Sequence, residues 1–409
     1  MYRFKLNRRL AMSTGLIVLA IGIAAVAPAQ EWSTPVKPPA GCGSTLSGVP
    51  GLALNAAGDW IIAGYFQNNS GNPSQPFSVQ ACTSDDGVNW SGPTTIGLGT
   101  APAVAIAPDG TAVAIWQGGT VTAPDIQASV RPAGGSWSAP VVVSTNSGHP
   151  VIGMDGSGNA VAAWAPINLT QPVETASIPA GGHWTAVHTL AAKGGGVNLA
   201  TSSVGDVIVT WRSGTSIEAA SGTILGGFSA PVVVGLTYAG LSALTAPRVA
   251  LNDAGQASLT WQSGTSYRVV TRTASGTWST LTQLSANGSS GFGTAIDSAG
   301  NAIVAFGVLE STGAATYASL HPAGGTWEAP TLLSAVNDKG FGGVAGDEAG
   351  TFIVAWTNST GTVEALTVPP GGEFGPGIAV GSGPFVNLKI FSDHAVLWTG
   401  VGISSETVN

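Results

Sequence analysis

The chain has 409 residues, only 8% of them charged, and a formal net charge of −8. That length can bury a large core, while so acidic and charge-poor a surface argues against nucleic-acid binding, which rests on neutralising phosphates, and offers no basic patch to an anionic membrane. Surface polarity must come instead from hydroxyls, amides and turns built on the 59 glycines.

At the N-terminus, Arg3, Lys5, Arg8 and Arg9 precede an apolar run from Leu10 to Val26 and a small-x-small site, Ala27-Pro28-Ala29. This order predicts a signal peptide over 1–29, cleaved after Ala29, and a mature domain over 30–409, secreted or periplasmic. An uncleaved anchor is the alternative, since the apolar run is nearly long enough to span a bilayer. Later apolar runs are short and broken by Gly, Asp or Pro, so no membrane segment is expected after cleavage. Loss of four of the 13 basic residues takes the net charge from −8 to −12. Cys42 and Cys82 both follow the leader, and export favours a disulfide between them; two free buried thiols are the alternative.

The rest of the chain repeats one pattern. Its clearest copy runs from Pro102 to Pro140. A strand is followed by a tight turn at Asp109-Gly110 and a second strand ending at Trp116. A third strand, a Gly-rich turn and a fourth strand opening at Trp137 complete it. The fourth-strand aromatic recurs at Trp32, Trp90, Trp137, Trp184, Phe228, Trp278, Trp327 and Phe374. The first turn recurs with an aromatic six residues on: Gly110 with Trp116, Gly158 with Trp164, Gly205 with Trp211, Gly255 with Trp261, Gly300 with Phe306 and Gly350 with Trp356. Spacings of 44 to 58 residues match one four-stranded blade of a propeller. The expected fold is therefore all-β, an eight-bladed β-propeller of four-stranded antiparallel blades. Glu31 to Pro35 reads as a fourth strand without its first three, and Phe385 to Asn409 as three strands without a fourth, so the N-terminal strand is expected to close the ring and remove a free edge. Seven blades is the alternative, should the irregular first unit, Gly51 to Ser91, not be a blade.

Thr83-Ser84-Asp85-Asp86-Gly87-Val88-Asn89-Trp90 resembles the Asp-box of sialidase-like (BNR-repeat) propellers, with Thr83, Asp85, Gly87 and Trp90 at the matching positions. The resemblance implies a structural turn between third and fourth strands, in which short polar side chains accept backbone N–H bonds. It covers these eight residues closely and the mature chain in outline. That family also uses three arginines to hold a carboxylate and a Tyr–Glu nucleophile. The mature chain has Arg131, Arg212, Arg248, Arg268 and Arg272, with Tyr267 and Tyr317 in third-strand segments, but no F/Y-R-I-P segment.

Binding residues are expected where second-to-third and fourth-to-first connections share one end of the channel. Gln117, Arg212, Gln262 and Thr357 each follow a second-strand aromatic, and His149 and Arg248 precede first strands. Arg212 and Arg248 come from adjacent units and could form an anion-binding pair; two solvated loop residues are the alternative. Asp155-Gly156-Ser157-Gly158-Asn159 and Asp297-Ser298-Ala299-Gly300-Asn301 have the outline of calcium loops, but one carboxylate each suits a hairpin turn better. His183 and His188, in one strand region, are five apart and would face opposite sides of a strand, so no metal is expected. Regular spacing assigns the tryptophans to packing between blades. No triad, phosphate loop or nucleotide fingerprint is present, and no cofactor is expected. The leading reading is a monomeric, non-catalytic scaffold that recognises a ligand, a glycan or an extracellular protein. A sialidase-like glycoside hydrolase or lyase and a structural surface protein are the alternatives.

Overall fold

The computed structural model describes residues 42, 51–67, 74–146, 148–166, 169–237, 246–285, 287–382, 385–391, 394–399 and 404–407. The leader and the expected closing strand at Glu31 to Pro35 lie outside the described residues. Among the described residues every regular element is a β-strand, and no helix is long and apolar enough to cross a membrane.

The strands group into consecutive up-and-down units. Unit 1 is β1 (Gly51–Leu54), β2 (Trp60–Gln67), β3 (Phe77–Ser84) and β4 (Trp90–Leu98). Unit 2 is β5 (Thr100–Ile106), β6 (Ala112–Thr120), β7 (Ala123–Arg131) and β8 (Val141–Ser144). Unit 3 opens with β9 (Val151–Met154), β10 (Ala160–Trp164) and β11 (Gln171–Ile178). The long β12 (His188–Thr201) then serves twice, as the fourth strand of unit 3 and the first of unit 4. Unit 4 continues with β13 (Asp206–Ser213), β14 (Ser216–Thr223), β15 (Gly227–Phe228) and β16 (Val232–Leu236). Unit 5 is β17 (Arg248–Leu251), β18 (Ala257–Ser263), β19 (Ser266–Arg272) and β20 (Thr282–Ser285). Unit 6 is β21 (Gly288–Ile296), β22 (Ala302–Glu310), β23 (Gly313–His321) and β24 (Thr331–Leu332). Unit 7 is β25 (Gly340–Gly346), β26 (Phe352–Thr357), β27 (Thr362–Val368) and β28 (Ile378–Ser382). The last sheet holds three described strands, β29 (Phe385–Phe391), β30 (His394–Thr399) and β31 (Ser404–Thr407). The irregular first unit thus has the same four-stranded antiparallel order as its neighbours. First strands pack side by side in chain order, and β29 lies beside β1.

Burial separates the strands by position. Second strands are buried on both faces, as in Ala160–Trp164 and Phe352–Thr357, because each lies between two neighbouring sheets. Their closing aromatics, Trp116, Trp164, Trp211, Trp261, Phe306 and Trp356, are 0–1% exposed. The Trp116 and Trp261 indoles donate to the carbonyls of Leu98 and Leu236 in the preceding units, each at 3.1 Å. Gly97 and Gly235 make room for those rings: a Cβ there would lie 2.2 Å and 2.3 Å from an indole carbon. First strands, although flanked by sheets, are less buried, β25 being half-buried along most of its length.

The turns follow their chemistry. Asp155 and Asp297 each hold a hairpin turn. Asp155 Oδ1 accepts the N–H groups of Ser157 and Asn159, both at 2.9 Å, and Oδ2 accepts Asn159 Nδ2. Asp297 holds Asn301 in the same way. These turns also link units: Asn55 Nδ2 donates to Ala107 O, Gly156 N to Ser203 O, and Asn252 Nδ2 to Asp297 O, at 2.8–2.9 Å. Cys42 and Cys82 form the expected disulfide, tying the segment before β1 to β3.

Candidate functional site

The six residues expected to bind ligand fall at one end of their units, where second strands finish and first strands begin. Two of them mainly hold turns. Arg212 is buried and its Nε donates to Gly214 O at 2.8 Å; Gln262, at the equivalent position, donates to Gly264 O at 3.1 Å. Thr357 is buried, and its carbonyl accepts Lys339 N. Gln117 is half-buried on β6, opposite Thr100 and Ile126. His149 and Arg248 are reached by solvent, yet loss of surrounding water lowers the pKa of both. No hydrogen bond or ion pair among the described residues joins any two of the six.

The remaining arginines are dispersed. Arg131 and Arg272 close their third strands, at the end opposite Arg212 and Arg248. Arg268 donates to Leu236 O at 2.9 Å. Tyr267 is fully buried with its hydroxyl on Gly291 O, whereas Tyr317 donates to Glu310 at 3.0 Å. His183 precedes β12 and His188 begins it, so the two do not share a strand. In the Asp-box segment the turn bonds go to Asp86, one residue beyond the matched Asp85. Asp86 accepts Asn89 N at 2.7 Å, Val88 N at 2.8 Å and Asn89 Nδ2 at 2.7 Å. The Asn89 backbone bond, followed by that from Val88, draws its pKa down to about 2. Gly87 sits at φ 70° against the Trp60 ring, and Trp90 Nε1 donates to its carbonyl.

Two cavities lie at the other end, between units. One, of about 300 Å³, separates unit 4 from unit 5. Asp206, Ser221 and Thr223 line it from unit 4, and Leu251, Gly255 and Arg272 from unit 5. Arg272 is anchored, with Nη1 on Gly255 O at 2.6 Å and Nη2 3.5 Å from Ser221 Oγ. Asp206 faces the same space: a Cβ on Gly255 would lie 3.9 Å from its Oδ2 and 3.8 Å from Arg272 Nη1. No ion pair forms between them, and the Asp206 carboxylate accepts no hydrogen bond from the described residues. A second cavity, about 110 Å³, occupies the equivalent place between units 6 and 7. It is lined by Asn301 at the position of Asp206 and Val368 at that of Arg272. His321 lines it too, packed on the Trp327 ring at 5.0 Å with Nδ1 buried and unpartnered; burial lowers its pKa.

Sequence reasoning missed the first groove. Sequence position alone does not single it out: Arg272 shares its repeat position with Arg131 and His321, and Asp206 its turn position with Asp59. The same Asp–Arg pair thus recurs between units 1 and 2, where Asp59 accepts Asn55 Nδ2 at 2.8 Å.

No family model and no curated protein matches the chain. Solved structures do. The chain is similar to the BP39L lectin from Burkholderia pseudomallei, at 13% identity and a TM-score of 0.55, over 81% of this chain and 99% of that one. It is also similar to the Dos1 propeller, at 10% identity and a TM-score of 0.57, over 92% and 94%. At such identities the likeness concerns fold, and with the repeated antiparallel sheets it makes this chain a β-propeller.

Proposed function

We propose that this protein is an exported, eight-bladed β-propeller that recognises a glycan without turning it over, and that the groove between units 4 and 5 takes the sugar. The observation carrying this reading is the unpaired Asp206 carboxylate facing the anchored Arg272 guanidinium across a cavity of about 300 Å³. Adjacent sugar hydroxyls can donate to the one and accept from the other, which suits a neutral polyol better than an ion. Ser221 and Thr223 add hydroxyls, and Leu251 offers an apolar wall for the C–H face of a ring. The lectin named above shares the fold, which agrees with this reading. Hydrolysis would need two carboxylates across one pocket, and Asp206 is the one acid among the lining residues.

Eight blades are supported by the complete first unit and by β29 lying beside β1. In this reading Glu31 to Pro35 adds the fourth strand to β29, β30 and β31, and residues 1–29 are removed on export.

A glycan array with mature protein, followed by calorimetry on any hit, tests the proposal. The expected result is binding of a neutral saccharide without cleavage, weakened at least about tenfold by Arg272→Ala or Asp206→Ala, since each leaves buried polar groups unpaired. Binding indifferent to both substitutions would refute the groove, and turnover of the ligand would refute the non-catalytic reading.

A further inference from the structure

Units 1, 3, 4, 5 and 6 pass from first to second strand through one kind of turn, closed by a backbone bond from its first residue to the carbonyl of its fifth: Asn55 to Asp59, Asp155 to Asn159, Ser202 to Asp206, Asn252 to Gln256 and Asp297 to Asn301. In units 1, 3, 5 and 6 the first and fifth side chains also bond to each other. Asn55 Nδ2 donates to Asp59 Oδ2 at 2.8 Å, Asn159 Nδ2 to Asp155 Oδ2 at 2.8 Å, Asn252 Nδ2 to Gln256 Oε1 at 2.9 Å and Asn301 Nδ2 to Asp297 Oδ2 at 2.7 Å. Unit 4 departs from this. Ser202 Oγ accepts Asp206 N at 2.9 Å, and no described residue donates to the Asp206 carboxylate.

The difference lies in what the first side chain can offer. In units 1 and 5 an asparagine Oδ1 accepts the fifth residue's N–H, at 2.9 Å in both, and its amide nitrogen remains to donate to the fifth side chain. The serine hydroxyl makes the first of these bonds and has no second branch for the other. An asparagine fits this place in the neighbouring turns: Asn55 and Asn252 are as buried as Ser202, and each also donates to the next unit's turn, at Ala107 O and Asp297 O. Asp59 and Asp206 thus share one turn position and are both half-buried, but the first carboxylate is tied to its turn and the second is free. The free one lines the cavity that Arg272 lines from unit 5.

We propose that Ser202 is the positioning residue of the groove between units 4 and 5: by supplying an acceptor and no amide donor, it keeps the Asp206 carboxylate free for the hydroxyls of a ligand. This rests on the reading of that groove as the saccharide site. Ser202 acts through Asp206 and is not itself among the lining residues. Ser202→Asn would repeat the arrangement of unit 1, drawing Oδ2 of Asp206 back onto its turn and leaving a ligand hydroxyl without its acceptor.

Carbodiimide-driven coupling of glycine ethyl ester, read at each carboxyl by peptide mass mapping of the mature protein, tests the carboxylate without any saccharide. Asp206 is expected to couple several-fold faster than Asp59. Ser202→Asn should slow Asp206 to the Asp59 rate, Asn55→Ser should raise Asp59 towards the Asp206 rate, and Ser202→Thr, which keeps an acceptor and brings no amide, should leave Asp206 fast. Calorimetry with the highest-affinity saccharide from the array extends the test to the ligand: affinity should fall at least about tenfold in Ser202→Asn and be retained in Ser202→Thr, with unfolding midpoints showing that each variant is folded. Equal coupling of Asp206 in the native protein and in Ser202→Asn overturns the proposal. So does saccharide binding that Arg272→Ala weakens and Ser202→Asn does not. Failure of the native protein to bind any saccharide refutes the groove reading instead, and the coupling rates then decide by themselves whether Ser202 frees Asp206.

Discussion

Asp86 shows how one side chain can shape a turn. Its carboxylate gathers two backbone N–H groups and one side-chain amide at 2.7–2.8 Å, and its pKa falls from 3.8 to about 2. A lowered acid pKa stabilises the folded turn above the ordinary carboxylate range, and that support is lost as pH falls through the native value. Protection of the Val88 and Asn89 amides, taken relative to the intrinsic exchange rate at each pH, should therefore hold at neutral pH and fall between pH 4 and pH 2, as these pKa values imply. In Asp86→Ala that protection should be low throughout; protected amides in that variant would contradict the assignment. The matching motif pointed one residue short, to Asp85, because motif position says which residue types a turn needs but not which of two adjacent acids its backbone curls around. The groove residues were illegible for another reason. Asp206 and Arg272 are far apart in sequence and meet only because neighbouring sheets bring their turn ends together.

At the level of elements, packing between units dominates. Second strands are buried on both faces. Trp164 and Trp211 bond to Glu174 and Glu218 of their own third strands, while in units 2 and 5 the closing tryptophan bonds to the unit before, as Trp261 does to Leu236. Gly235 is required there by space alone. Gly235→Ala would push a Cβ to 2.3 Å from the indole, and overpacking of this kind costs about 1–3 kcal/mol. A lower unfolding midpoint in thermal denaturation is the expected outcome; an unchanged one would show that Trp261 can move aside. This architecture was legible because the same demand recurs in every unit, so the apolar runs, turn glycines and aromatics repeat in register. The doubled role of β12 was not. The Gly194-Gly195-Gly196 run looks like a loop in sequence, but Gly194 pairs with Gln171 in unit 3 while Gly195 pairs with Arg212 in unit 4, so one strand crosses between two sheets.

Across the whole molecule, first strands succeed one another from β1 to β29, and β29 returns to β1. The Cys42–Cys82 disulfide holds the chain just before β1, closing a loop with a sequence separation of 40. In the chain-entropy model such a cross-link is worth up to about 4 kcal/mol. Cys82→Ala, or reduction of the native protein, should lower the unfolding midpoint by several degrees, and equal midpoints with and without reductant would show that the seam does not depend on it. The repeat carries most of the chemistry that builds these units, so under the proposed function recognition falls to positions between them. The most direct test of that view is a crystal structure of the mature protein with its best saccharide from an array. The account predicts the sugar between units 4 and 5, with hydroxyls on Asp206 and Arg272. A saccharide seated elsewhere, with that groove empty, would contradict it.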